Sequence, residues 1–93
     1  MPTYVMLTNL TTEGRKTLKN YPGRVAEVNA EVEALGAKVV EQYITLGQYD
    51  FVTIIEAPSE EAMAKVSIEM GSRGTMTSQT LTALSAERLA EVL

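Results

Sequence analysis

Side chains able to do chemistry are few in this sequence, and several of them gather around one glycine. Within TLGQYDFVTIIEAPS, from Thr45 to Ser59, the run Gly47-Gln48-Tyr49-Asp50 sets an amide, a phenol and a carboxylate in a row where a strand begins. Tyr43 lies just upstream, and Arg73 is the base in the later Gly71-Ser72-Arg73-Gly74 turn. Asp50, followed by the apolar Phe51 and Val52, has two readings. As a functional group it would be a general base, or an acceptor that orients a ligand. As a structural group it would satisfy backbone N–H groups near a hairpin, or pair with a base across a subunit contact. We rank the second reading first. Tyr43 and Tyr49 could donate hydrogen bonds to an enclosed ligand, although a tyrosine on an oligomer-facing sheet is more often interface material.

What is missing narrows the chemistry further. The chain has no His and no Cys, which removes the commonest general base, the thiolate nucleophile and the nitrogen and sulfur ligands of zinc. The catalytic residues therefore stay unassigned. Oxygen ligands alone remain for a metal, and the acids are scattered without a calcium-loop spacing, so we expect neither metal nor cofactor. Twelve acids against eight bases give a net charge of −4 with no basic run, which argues against nucleic acid as a partner. No window approaches the roughly 18 apolar residues of a membrane span, and MPTYVMLTNL lacks a charged leader, so a cytoplasmic location is expected.

These residues must be positioned by one domain spanning residues 1–93, because cores rarely form in pieces shorter than about 50 residues. Thr3 to Leu10 reads as the first strand, and Thr11 or Thr12 caps a short helix that ends near Asn20, weakened by Gly14. Val25, Val28, Val32 and Leu35 form one apolar stripe on a second helix that starts at Pro22 and stops at Gly36, a left-handed cap. Lys38 to Leu46 and Tyr49 to Ala57 are strand-like, and Gly47-Gln48 between them suits a two-residue type II′ hairpin. Ser59 then caps a helix whose buried side is Met63, Val66 and Met70. Thr75 to Leu84 supplies the last strand, and Ser85 caps a short C-terminal helix.

The order strand, helix, strand, strand, helix, strand is the split βαβ pattern of ferredoxin-like α+β folds. It implies an antiparallel four-stranded sheet with both helices on one face. Alternation divides the strand residues into two sets. Val5, Leu7, Val40, Ile44, Leu46, Val52 and Ile54 form an aliphatic set suited to lie under the helices. Tyr4, Met6, Thr8, Val39, Glu41, Tyr43, Thr45, Tyr49, Phe51, Thr53, Ile55, Ser78, Thr80 and Thr82 form the open set. The open set is too apolar to face water, so a second copy of the chain should cover it and enclose a pocket of mixed polarity.

The stretch Tyr43 to Glu61 (YITLGQYDFVTIIEAPSEE), with MGSRG (Met70 to Gly74) and TLTAL (Thr80 to Leu84), resembles the GYD-domain family of the dimeric α/β-barrel group. The similarity covers nearly the whole chain. It implies a ferredoxin-like fold, paired sheets and no single defined activity; relatives of that fold serve in cofactor-free oxidation, ligand sensing and stress-related roles. Arg73 departs from the family pattern, where an aliphatic residue is expected. Pointing into a cleft it would pair with Asp50 or hold an anion; pointing outward it is a solvated loop base, the reading we rank first.

Two functions follow as expectations. The first is a homodimer or higher homo-oligomer with a ligand-binding or interaction role through its sheet face, its candidate residues being Tyr43, Gly47, Gln48, Tyr49, Asp50 and Arg73. The alternative is a cofactor-independent enzyme of oxygenase or isomerase type, in which Asp50 polarises a small organic substrate held by the tyrosines. Arg15 and Lys16 would attract an acidic substrate, or be solvated. Glu41 on the lumen side would need a partner or a wet edge.

Overall fold

The two strands that open the two halves of the chain lie side by side at the centre of the sheet. In the computed structural model, which describes residues 1–93, β1 (Thr3–Leu10) is flanked by β3 (Phe51–Glu56) and β4 (Met76–Ala83), with β2 (Lys38–Ile44) outside β3. All neighbours are antiparallel, in the order β2-β3-β1-β4. This is the ferredoxin-like α+β arrangement. Its first crossover is divided into α1 (Thr12–Asn20) and α2 (Arg24–Ala34), and its second is α3 (Glu60–Gly71). No helix is long and apolar enough to cross a membrane.

Capping explains where the helices start. The Thr11 hydroxyl accepts from the Gly14 N–H at the head of α1, and the Ser59 hydroxyl accepts from the Ala62 N–H at the head of α3, each satisfying a donor that helix geometry leaves free. Glu60 and Glu61 place negative charge in the first turn of α3, where the helix dipole favours it. After α2 the chain reverses at Gly36 with φ +96°. Beyond β4, the Ser85 hydroxyl accepts from the Glu87 N–H and starts a single 3-10 turn (Ala86–Arg88), followed by the short α4 (Leu89–Val92). Leu89, Val92 and Leu93 on this segment are exposed.

The core lies on the opposite side of the sheet from the one that alternation suggested. Tyr4, Met6 and Ile55 are buried against Val32 of α2 and Met63, Val66 and Met70 of α3. Register confirms the sidedness, since Tyr4 pairs with Ile55 and Thr82, and Met6 with Thr53 and Thr80. The hydroxyls of this set favour a wet face unless they find partners inside. Two of them have partners that lead to the helices: Thr80 shares a hydrogen bond of 3.0 Å with Ser67 on α3, and Thr53 accepts at 3.1 Å from Gln42 of β2, which in turn accepts from Asn29 on α2. A hydroxyl with a partner is an acceptable core group. Val5, Leu7, Val52 and Ile54, expected beneath the helices, form the open face.

Two further corrections concern β2. A bulge between Val39 and Glu41 inserts Val40 into the strand and resets its alternation. Val39, expected on the open face, lies on the helix side with Ile55, whereas Glu41 and Tyr43 pair with Ile54 and Val52 on the open face, as expected. The hairpin is also longer than a two-residue turn. Its last closing bond runs from the Thr45 N–H to the Asp50 carbonyl (2.9 Å), and the Thr45 hydroxyl donates to the Tyr49 carbonyl at 2.6 Å. Gly47 takes φ +104° at the tip, a conformation that strains any residue with a Cβ. Ile44 keeps the expected helix side, paired with Phe51, but is 81% exposed rather than covered, and Leu46, also expected under the helices, is 98% exposed.

Candidate functional site

Asp50 stands where the β1–β3 ladder ends, and its environment follows from that position. The last paired residues are Thr8 and Phe51, so the Leu10 N–H two residues further along β1 has no partner on β3. The Asp50 carboxylate takes this donor, with Oδ2 2.8 Å from the Leu10 nitrogen. Its own N–H donates to the Thr8 carbonyl at 2.8 Å. The Arg15 guanidinium of α1 lies 3.4 Å from the same Oδ2. Asp50 therefore ties together the hairpin, the end of β1 and the start of α1. A carboxylate accepting a backbone N–H makes a charge-assisted bond about twice as strong as a neutral one.

Tyr49 turns the other way. Its hydroxyl donates to Gln79 Oε1 of β4 at 3.0 Å, spanning the end of β1 on the open face. Gln48 and Tyr49 border a polar surface depression of about 240 Å3 together with Leu7, Asn9, Thr77 and Gln79. Tyr43 is 56% exposed on the same face, and its hydroxyl lies 3.4 Å from Glu41 Oε2. The structure thus brings Gln48 and Tyr49 together at one end of the open face, with Tyr43 on the outer strand. Asp50 is directed away from them, toward Arg15.

Arg73 belongs to a different part of the molecule. It does not meet Asp50: it pairs with Glu31 of α2, and its Nη2 lies 3.6 Å from Glu69 of α3. Arg24 joins the same network, with Nη1 3.1 Å from both Glu27 and Glu31. The hydrogen bond from Arg73, reinforced by Arg24, holds the Glu31 carboxyl below the ordinary carboxylate range against the opposing effect of burial. Glu27 is lowered by hydrogen bonds from the Tyr21 hydroxyl and from Arg24, and the Tyr21 phenol is correspondingly raised. The Tyr4 hydroxyl, buried near Glu60 and Glu61, has no hydrogen-bond partner, and burial pushes its phenol up.

The open face has no partner in the isolated chain. Val5, Leu7, Val52 and Ile54 run across its two central strands, and Leu81 of β4 continues the row at 42% exposure. Glu41 and Lys38 on β2 border it. A second feature lay outside the expectations drawn from sequence: a cavity of about 170 Å3 between the helix side of the sheet and α1–α2. The signals for it were Thr8 and Thr53 inside apolar strands and Asn29 beside the α2 stripe. Each is a small polar residue where a larger apolar one would have filled the space.

Comparison with known proteins agrees with this architecture. Residues 4–93 match the family described as GYD domain. A protein of Thermus thermophilus, described as glutamine synthetase and cystathionine beta-lyase binding protein, is 42% identical over 85 residues, covering 90% of each chain. Among solved structures, MtbAldR superposes with a TM-score of 0.68 at 13% identity over 89% of this chain, which spans about half (51%) of that protein. FFRP-DM1 superposes with a TM-score of 0.60 at 19% identity, over 90% of this chain and 100% of the other. At such low identities these two structures speak to the fold alone.

Proposed function

The chain belongs to the GYD-domain family, and we propose that it is an interaction protein: one domain, residues 1–93, that pairs with a second copy through the open sheet face and docks as a pair on a metabolic enzyme. The observation that carries this reading is the aliphatic row Val5, Leu7, Val52, Ile54 and Leu81, unpartnered in the isolated chain. Contiguous apolar surface of this kind is rare on monomers and is the usual mark of a contact surface. A two-fold arrangement sets the row against itself, with Tyr43, Glu41 and Lys38 at its border, an apolar centre within a polar margin. The Thermus relative, described by the two enzymes it binds, supports an enzyme of that kind as the further partner and a cytoplasmic setting.

The alternative, a cofactor-independent oxygenase or isomerase, depends on Asp50 as base. Its carboxylate is engaged by the Leu10 N–H and Arg15 and is directed away from the tyrosines, which ranks that reading lower.

Sedimentation of the purified chain at micromolar concentration tests the pairing. We expect a particle of at least twice 10.1 kDa, and a folded particle of 10.1 kDa would remove the proposed contact. Co-sedimentation with purified glutamine synthetase and with cystathionine beta-lyase tests the docking; no complex with either would remove that half of the reading while leaving the pairing intact.

A further inference from the structure

The cavity beneath α1 and α2 is on the side of the sheet away from the proposed contact, and nothing in the pairing fills it. Protein interiors pack as densely as organic crystals, so voids larger than a water molecule are few. The cavity is partly open to solvent rather than sealed, and its size can be set against that of a void of about 150 Å3 that admits benzene. At about 170 Å3 this one has room for a single aromatic ring. Met6, Phe51, Ile55 and Met70 supply apolar walls, and thioethers make favourable contacts with ring edges.

One wall is polar in a specific way. Thr8 and Thr53 are 4% and 5% exposed, and both line the cavity. Asn29 Nδ2 donates to Gln42 Oε1 at 2.8 Å, and Gln42 Nε2 donates to Thr53 Oγ1 at 3.1 Å. Each amide has two N–H groups, so this chain leaves one donor on Gln42, one donor and the carbonyl on Asn29, and the Thr53 proton for a further partner. No carboxylate lines the cavity. Its two cationic lining residues, Arg24 and Arg73, are both paired with Glu31. A cationic ligand would lose its hydration and find no counter-charge.

We propose that this cavity is a binding site for a small neutral aromatic molecule carrying one hydroxyl or carbonyl group. The ring lies among Met6, Phe51, Ile55 and Met70, and the polar group meets the Thr53–Gln42–Asn29 chain. The site is independent of sheet pairing, since its walls come from the helix side.

Methyl NMR on the full chain with labelled methionines tests this with phenol, toluene and benzylammonium as probes. Phenol is expected to shift the Met6 and Met70 methyls saturably and to bind roughly threefold to tenfold more tightly than toluene, the factor for one net hydrogen bond. Benzylammonium should leave them unmoved. Thr53→Val, which removes one of the three polar partners, should reduce the advantage of phenol while toluene still binds, and Val28→Phe, which fills the space, should abolish both. No saturable shift at these methyls, equal binding of benzylammonium, or undiminished binding in folded Val28→Phe overturns the proposal. Should Val28→Phe fail to fold, the comparison of phenol with toluene in Thr53→Val decides alone: a smaller advantage supports the proposal, and an undiminished one overturns it.

Discussion

A Cβ on Gly14 would lie 2.1 Å from the carbonyl oxygen of Thr75, so the first turn of α1 touches the entry to β4 with no room for a side chain. The approach is enforced by Thr11, whose N–H donates to the Thr75 carbonyl at 3.0 Å and whose hydroxyl donates to the Gly74 carbonyl at 2.8 Å. Gly14→Ala, ordinarily favourable in a helix, should here lower stability by about 2 kcal/mol, because backbone atoms cannot yield as a side chain can. Urea unfolding measures it, and an unchanged or raised midpoint would contradict the close approach.

Asp50 and Arg15 separate a hydrogen bond from an ion pair. The Arg15 side chain is 59% exposed, so Arg15→Ala should cost no more than about 0.5 kcal/mol. Asp50→Ala strips the Leu10 N–H of its acceptor and should cost about 2 kcal/mol. Equal losses in denaturant titrations would show that the ion pair, rather than the backbone bond, is what the carboxylate supplies.

Glu31 makes the α2–α3 contact sensitive to acid. Its carboxyl is held below the ordinary range when folded, chiefly by Arg73, so it binds a proton less readily folded than unfolded. The stabilisation is therefore present above the unfolded carboxylate pKa and is lost as pH falls through the lower folded value. Glu31→Gln should be less stable than the parent at pH 7, and the gap should close as pH drops below the carboxylate range. Because these side chains are partly exposed, added salt should narrow the gap at neutral pH. Urea midpoints across that pH range give the result, and a gap that persists in acid would assign the effect to packing.

Val52 tests the open face without touching the core. Val52→Glu places a carboxylate in the middle of the aliphatic row, and two-fold symmetry introduces it twice per pair. The variant should keep its circular dichroism and sediment as a single chain, its self-affinity reduced at least about a hundredfold. Retained association would place the contact elsewhere.

The element order and most boundaries were legible because local chemistry sets them: Thr11 and Ser59 as caps, the Val28–Val32 stripe, and Gly36 after α2. Sidedness was not. Both alternating sets in β1 are apolar, and what decides between them is the partners of Thr53 and Thr80, Gln42 and Ser67, which lie 11 and 13 residues away in the chain. The hairpin length escaped for a related reason: Gly47 announces a turn, but the Thr45 hydroxyl bonding to Tyr49 widens it. At the site, Asp50 was readable as an acceptor for backbone N–H groups near the hairpin, but that the donor would be Leu10 at the end of β1 was not. The placement of Arg73 with Glu31 depends on how α2 meets α3, which no spacing within either helix encodes.

The bulge at Val40 means that β2 carries one residue more than its neighbour requires. Removing Val40 should be tolerated: Val39 would still meet Ile55, Glu41 would still meet Ile54, and Gln42 and Tyr43 would keep their present sides. Removing Gln42 instead would turn the following residues over. What such a deletion at Val40 would alter is direction, since a bulge bends and twists its strand, and the tip bearing Ile44 and Leu46 would swing to a new heading.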